Sequence, residues 1–315
     1  MSSTPARPVV AGLDGRRASV AAADWAAREA LLRGVPLRLV HAWEQLIVPY
    51  ASLAQVAVPP DPERSAQLLA RARDHLTHRH PGLEVTTDRL SGDPATALVA
   101  AAADAELLVL GSRGLGRTAG FLLGSVARTV VARAGRPVVL VRSADPGKPE
   151  DDPLTGSHEP EAPVSGAVSG AGAGAGDGDG DGDVVVGVDL DGPDEAVLAF
   201  AFDSAVRRGT GLRVVYGRGP ADEPADAAGL TETDALAEPL ADALRPWQEK
   251  FPGVPVTAQA AIGRPGSHLV DASADAALLV VGRAARHATI GTHIGPVTDA
   301  ALRHAASPVA VVPHD

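Results

Sequence analysis

No cysteine occurs among the 315 residues, which removes disulfides, thiolate nucleophiles and zinc sites of the cysteine type. Lysine is almost as scarce, with only Lys148 and Lys250 present. A P-loop needs Gly-Lys followed by Ser or Thr. The one Gly-Lys pair, Gly147-Lys148, runs into Pro149, so a P-loop NTPase is out. No apolar run approaches the roughly 18 residues of a membrane span. The opening MSSTPARPVV also lacks the apolar stretch of a signal peptide. These absences predict a soluble, cytoplasmic protein with no membrane partner.

What is present is ample for globular cores: 45% of the residues are hydrophobic, and the length exceeds that of an ordinary single domain. The net charge of −11 is unevenly spread, at +5 over residues 1–143, −9 over 144–183 and −7 over 184–315. Nucleic-acid binders concentrate basic residues on one face or stripe. The arginines of the first segment are dispersed, so no nucleic-acid partner is expected. Residues 144–183 change abruptly to Pro, Gly, Ala and acids and end in GAGAGAGDGDGDGD. Few apolar side chains offset the ordering entropy there and the acids repel, which predicts a disordered linker between two domains, 1–143 and 184–315.

The flanking halves repeat one another. Val9-Val10-Ala11-Gly12-Leu13-Asp14 matches Val184-Val185-Val186-Gly187-Val188-Asp189 at an offset of 175, and Leu37-Arg38-Leu39-Val40 matches Leu212-Arg213-Val214-Val215 at the same offset. Beyond His80 the offset is 171: Gly92-x-Pro94 meets Gly263-x-Pro265, Gly111 meets Gly282, and Pro137-Val138 meets Pro308-Val309. Within the first half, short apolar runs at 8–13, 36–41, 83–88, 106–111 and 137–142 read as strands. Helical patterns at 20–33, 61–79, 94–104 and 124–134 fill the gaps, with Ser19 as a cap and Gly34 as a left-handed stop. Alternation of this kind predicts an α/β fold: two repeated doubly wound, mainly parallel five-stranded sheet domains of Rossmann-like, adenine-nucleotide-binding type. Ligands of such sheets bind beyond the carboxyl ends of the strands.

The strand Glu106-Leu107-Leu108-Val109-Leu110 runs into a glycine-rich stretch from Gly111 through Gly114, Gly116 and Gly120, and a helix opens near Gly124-Ser125. Glycines let backbone N–H groups approach an anion, and the helix end adds partial positive charge. Arg113 and Arg117 are placed either to neutralise phosphate or as solvated loop charges. Gly114-x-Gly116-x-x-Ala119 imitates the dinucleotide fingerprint. That fingerprint belongs to the first βα turn, however, and wants an acid at the end of the next strand, which here ends Val141-Arg142.

Gly111, Gly114, Gly124 and Ser125 fit a spacing of Gly, two residues, Gly, nine residues, then Gly followed by Ser or Thr. In this the chain resembles the nucleotide-binding members of the universal stress protein family. The likeness takes in Gly12-Leu13-Asp14, Gly92-Asp93-Pro94 and Pro137-Val138-Val139-Leu140-Val141 and extends over both halves. It implies ATP, with or without Mg2+, as ligand. Asp14 would lie at the ribose and the backbone around Val40 at the adenine. The amides of Gly111, Gly114, Gly124 and Ser125 would cradle the phosphates, with a hydroxyl from Ser125. Read on chemistry alone, Asp14 is either a ribose acceptor or a turn cap, and Gly12 allows a close approach of ligand or neighbouring strand. The family likeness also implies pairing through the last strand, between the two halves of one chain or between two chains.

In the second half Ala285 replaces the middle glycine and Pro296 the hydroxyl residue, which predicts a weakened or lost site. His287, His293 and His304 have no nearby carboxylates and read as surface residues rather than metal ligands. The leading reading is a nucleotide-dependent binding module in stress response or regulation. A slow ATP hydrolase or phosphotransferase and a ligand-free dimerisation scaffold are the alternatives. No base, lysine or metal cluster is dedicated to phosphoryl transfer, so no catalytic residue is assigned.

Overall fold

A computed structural model describes residues 6–43, 62–112, 123–143, 182–189, 195–218, 232–262, 265–284 and 294–314. The predicted linker, apart from Gly182 and Asp183, lies outside these residues. So do Arg113, Gly114, Gly116, Arg117, Ala285, His287 and His293. In chain order the first half comprises β1 (Val9–Gly12), α1 (Arg17–Arg33), β2 (Leu37–Trp43), α2 (Pro62–Arg79), β3 (Val85–Ser91), α3 (Pro94–Ala103), β4 (Leu107–Ser112), α4 (Ser125–Arg133) and β5 (Val138–Arg142). The second half repeats the order as β6 (Val184–Val188), α5 (Glu195–Arg208), β7 (Leu212–Arg218), α6 (Glu232–Lys250), β8 (Val256–Ile262), α7 (Pro265–Ala272), β9 (Leu278–Ala284), α8 (Pro296–His304) and β10 (Val309–His314).

The continuous apolar runs become the inner strands because both of their faces are covered. Val9, Val10 and Ala11 are fully buried, as are Leu107, Leu108 and Val109. Helix α1 stops at Gly34, whose φ of 64° and ψ of 36° are left-handed and whose N–H caps the last turn, as expected from the sequence. Its start differs from expectation. The N-cap is Arg16, without a side-chain cap bond, and Ser19 lies inside the first turn. The Ser19 hydroxyl donates to Arg16 O at 2.8 Å and accepts from Asp14 N at 3.2 Å, tying the β1–α1 turn rather than capping the helix.

The two predicted sheets are one. All ten strands form a single sheet in the order β3-β2-β1-β4-β5-β10-β9-β6-β7-β8. Every neighbouring pair is parallel except β5 with β10, which run antiparallel with Val309 opposite Leu140, Ala310 opposite Val139 and Val311 opposite Val138. The carboxyl ends of the first five strands therefore lie at one rim of the sheet and those of the second five at the opposite rim. Pairing through the last strand joins the two halves of the same chain. β4 and β10 flank β5, and β9 and β5 flank β10, so neither strand keeps the edge that a homodimer through the last strand would need.

One face of the sheet carries α1, α2, α5 and α6 over a single core that crosses both halves, from Val9 and Trp25 to Phe202 and Val312. The other carries α3, α4, α7 and α8 over a second core. Above the β5–β10 seam, α1 meets α5 with repeat-related residues exchanging places: Arg33 stacks on the Phe200 ring at 5.2 Å and Arg208 on the Trp25 ring at 5.8 Å. Between them lies Glu29, with a side chain 1% exposed, bonded to Arg33 Nε at 2.6 Å and to Arg208 at 2.5 Å, while the more exposed Asp203 and Glu106 meet Arg33 at 3.4 and 3.5 Å. Its repeat counterpart is the neutral Ser204.

Candidate functional site

In each half the strand order reverses between the first and fourth strands, so α1 covers one face at that point and α3 and α4 the other. The carboxyl ends of β1 and β4 with the N-termini of α1 and α4 make the cleft where a doubly wound sheet receives its ligand. Register sets the depth: Gly12 pairs with Leu110 of β4 and with Val40 of β2, so β4 continues through Gly111 and Ser112 past the end of β1.

The two strand glycines owe their identity to packing. A Cβ on Gly12 would meet the side chains of Leu110 at 2.5 Å and Leu98 at 3.3 Å. A Cβ on Gly111 would lie 2.6 Å from Ser19 N and closer still to the Ala18 carbonyl. Gly111 is thus where α1 comes down on β4. Asp14 folds back on its own turn, accepting from Arg16 N at 3.0 Å with the Arg16 guanidinium 3.7 Å away, while about half of its side chain stays exposed at 53%. The turn-cap role of Asp14 is therefore filled, and the carboxylate still reaches solvent.

Val40 is bound into the sheet. Its carbonyl accepts from Leu13 N at 2.8 Å, so its polar edge faces β1. Polar edges alternate along a strand, and Trp43 O turns the other way to receive Gly92 N at 3.1 Å. Ala42 shares the direction of Val40 and comes two residues later, where β1 has ended. The peptide of Ala42, which the sequence reading passed over, is the one whose N–H and C=O face the cleft. His41 was also missed. Its Nδ1 lies 2.7 Å from Leu13 O, a bond that requires the Nδ1–H tautomer and holds the end of β1 against β2. Counting alternation from the last paired residue of β1 is the signal that would have found both.

At the other side of the cleft, Gly124 is the N-cap of α4 with φ −59° and ψ 150° and no side-chain cap bond, and the first turn holds no acid. Ser125 is the first helical residue. Its carbonyl accepts from the Thr129 hydroxyl at 2.9 Å, and the first-turn amides have no partner within the helix. The helix therefore offers donors and positive potential to an anion.

The second half differs at the matching places. α8 has the same extended N-cap at Gly295, but Pro296 is its first residue and Asp299 lies in its first turn. The missing N–H opposes an anion, whereas the Asp299 carboxylate is already held by Arg303 at 2.7 Å and Arg128 at 3.6 Å. Arg283, the residue after Gly282, points away from the cleft. It lies 7% exposed on the α7–α8 face of the sheet and donates to Ala134 O of the first half at 2.6 Å. Burial pushes its guanidinium pKa down. Of the three histidines weighed as metal ligands, His304 is the one among the described residues, and it lies exposed in the last turn of α8. Away from both clefts, a groove of about 640 Å³ opens between α2 and the β2–β3 edge, lined by Trp43, Leu69, Arg73, Asp88 and Arg89 among others.

Comparison with known proteins agrees with this architecture. Universal stress protein Rv2005c of Mycobacterium tuberculosis (strain ATCC 25618 / H37Rv) is 34% identical over 317 residues, covering 96% of each chain. Universal stress protein Rv2623 of the same strain is 32% identical over 320 residues, covering 96% of this chain and 95% of that one. The crystal structure of a universal stress protein from Archaeoglobus fulgidus DSM 4304 superposes with a TM-score of 0.65 at 15% identity, covering 99% of this chain and 100% of that one, a likeness of fold. The universal stress protein family itself matches twice, at residues 5–142 and 182–313. With a full family match on each side of the seam, this chain belongs to the universal stress protein family as a tandem member.

Proposed function

We propose that the chain is a nucleotide-dependent regulatory module that binds one ATP, in the cleft of the first half. The observation that carries this is the bare N-terminus of α4: a glycine N-cap, Ser125 at the first position and no acid in the first turn. Hydrogen bonds from such amides to a charged phosphate are each worth about 1.5–3 kcal/mol. The amides of Gly124 and Ser125 would take the phosphates together with the Ser125 hydroxyl. Gly114, Gly116 and Arg113 belong to the same proposed set through the sequence spacing. The exposed face of Asp14 would accept from ribose hydroxyls, and the Ala42 peptide, rather than that of Val40, would read the adenine edge. Pro296 makes the second cleft the weaker one.

Nucleotide released from the purified protein and identified by mass spectrometry tests this, together with calorimetric titration of ATP. The expected result is intact ATP and a stoichiometry near one per chain. Recovered ADP would support a slow hydrolase in the same cleft, and no binding by either method would leave the scaffold reading. Ser125→Ala should weaken ATP by about tenfold, or 1.4 kcal/mol, while leaving adenosine unchanged.

A further inference from the structure

The second half keeps the strand and helix of its own cleft but spends the residue after Gly282 elsewhere. The repeat counterpart of Arg283 is Ser112, whose hydroxyl donates to Val141 O within its own half at 3.3 Å. Arg283 instead reaches over the seam to Ala134 O at 2.6 Å. Ala134 is the C-cap of α4. A cation at a helix C-terminus complements the helix dipole, and it acts most strongly where water is excluded. Both conditions hold here. A reciprocal bond runs the other way, from Arg142 to Leu302 O in the last turn of α8 at 3.1 Å.

We infer that Arg283 is a positioning residue for the first half's phosphate-binding helix, so that the second half serves the first half's site without needing a ligand of its own. Helix α4 has nine residues, with the proposed phosphate donors at one end and the Arg283 guanidinium at the other. Its apolar face, Ala127, Val130 and Val131, fixes its height above the sheet. Apolar packing resists sliding along the helix axis weakly. A directional bond from a buried donor to the last carbonyl resists it well, and axial sliding is what would move the Gly124 and Ser125 amides relative to the end of β4. The inference rests on the proposed ATP site, and it explains why a half with a degenerate cleft still carries a buried, costly arginine beside the remnant of its motif.

The test uses the full chain with Arg283→Met, which retains much of the aliphatic bulk, and Arg283→Lys, which retains one cationic donor. Binding of ATP and of adenosine is compared by calorimetry. The expected result is that Arg283→Met weakens ATP roughly tenfold, equivalent to 1.4 kcal/mol, leaves adenosine within twofold, and is partly rescued by Arg283→Lys. Equal losses for both ligands, or none for either, would overturn the inference while leaving the ATP site standing. If the wild-type chain binds neither ligand the functional reading falls. Where the wild-type chain does bind ATP, hydrogen exchange of the α4 amides adds a second reading: faster exchange in α4 than in α3 of the Arg283→Met chain supports the inference, and unchanged exchange in α4 overturns it.

Discussion

At Gly111 a single hydrogen in place of a methyl decides how closely α1 can approach β4. The glycine was legible in the sequence as part of a phosphate-binding spacing, but its reason was not, because what it touches is the Ala18–Ser19 backbone from another element. Gly111→Ala should therefore destabilise the folded chain by about 1–3 kcal/mol, the usual cost of overpacking a filled site, with or without nucleotide. Urea unfolding measures this, and an effect seen only with ATP present would return Gly111 to a purely ligand-facing role. Asp14 shows the complementary case. Both of its readings were open from the sequence, and the fold satisfies the turn bond without closing the carboxylate off from solvent. In the proposed site the adenine-side peptide shifts from Val40 to Ala42, because the end of β1 decides which peptide of β2 is exposed.

Elements were the most legible level. The predicted strand at 83–88 becomes β3, and the predicted helices at 61–79, 94–104 and 124–134 each lie within a residue of α2, α3 and α4 at either end. Periodicity and breakers agree there. Caps separate the good boundary from the poor one. Asp93 accepts from Thr96 N at 2.8 Å and starts α3 where Gly92-Asp93-Pro94 predicts, whereas the start of α1 depends on tertiary packing over β4. The bonds from Thr96 hold the Asp93 carboxyl below its ordinary value. A depressed folded pKa means stability that is present above the unfolded value and lost as the pH falls through the folded one. Replacing Asp93 with Asn keeps the cap geometry and removes the charge. The wild type should thus melt higher than Asp93→Asn at neutral pH, and the gap should close on acidification below the usual carboxylate range. A gap that persists in acid would assign the effect to shape instead of charge.

For the molecule as a whole, the repeat in the sequence foretold two equal halves and the family likeness foretold pairing through the last strand, but not whether it joins the halves of one chain or two chains, because β5 and β10 are ordinary apolar runs that announce no partner. The asymmetry at the α1–α5 contact specifies the match. Two first halves would oppose two Glu29 carboxylates, and two second halves would bring two Arg208 side chains together with Ser204 in the place of Glu29 and only the half-exposed Asp203 as acid. Only the mixed pair places the buried Glu29 between two arginines, at side-chain exposures of 1%, 3% and 9% for Glu29, Arg33 and Arg208. Breaking such a buried set by removing one partner costs about 3–5 kcal/mol, so Glu29→Gln should lower stability by that order and split denaturant unfolding into two transitions. A single unchanged transition would show that the seam strands alone hold the halves together. The antiparallel seam has one more consequence. It brings the end of β5 and the beginning of β6 to the same rim, separated laterally by β10 and β9. Three strand spacings amount to about 14 Å, a gap that about five extended residues would close, yet residues 143–183 connect the two points. The tether is thus many times longer than the architecture demands, and shortening it would raise the effective concentration of one half around the other.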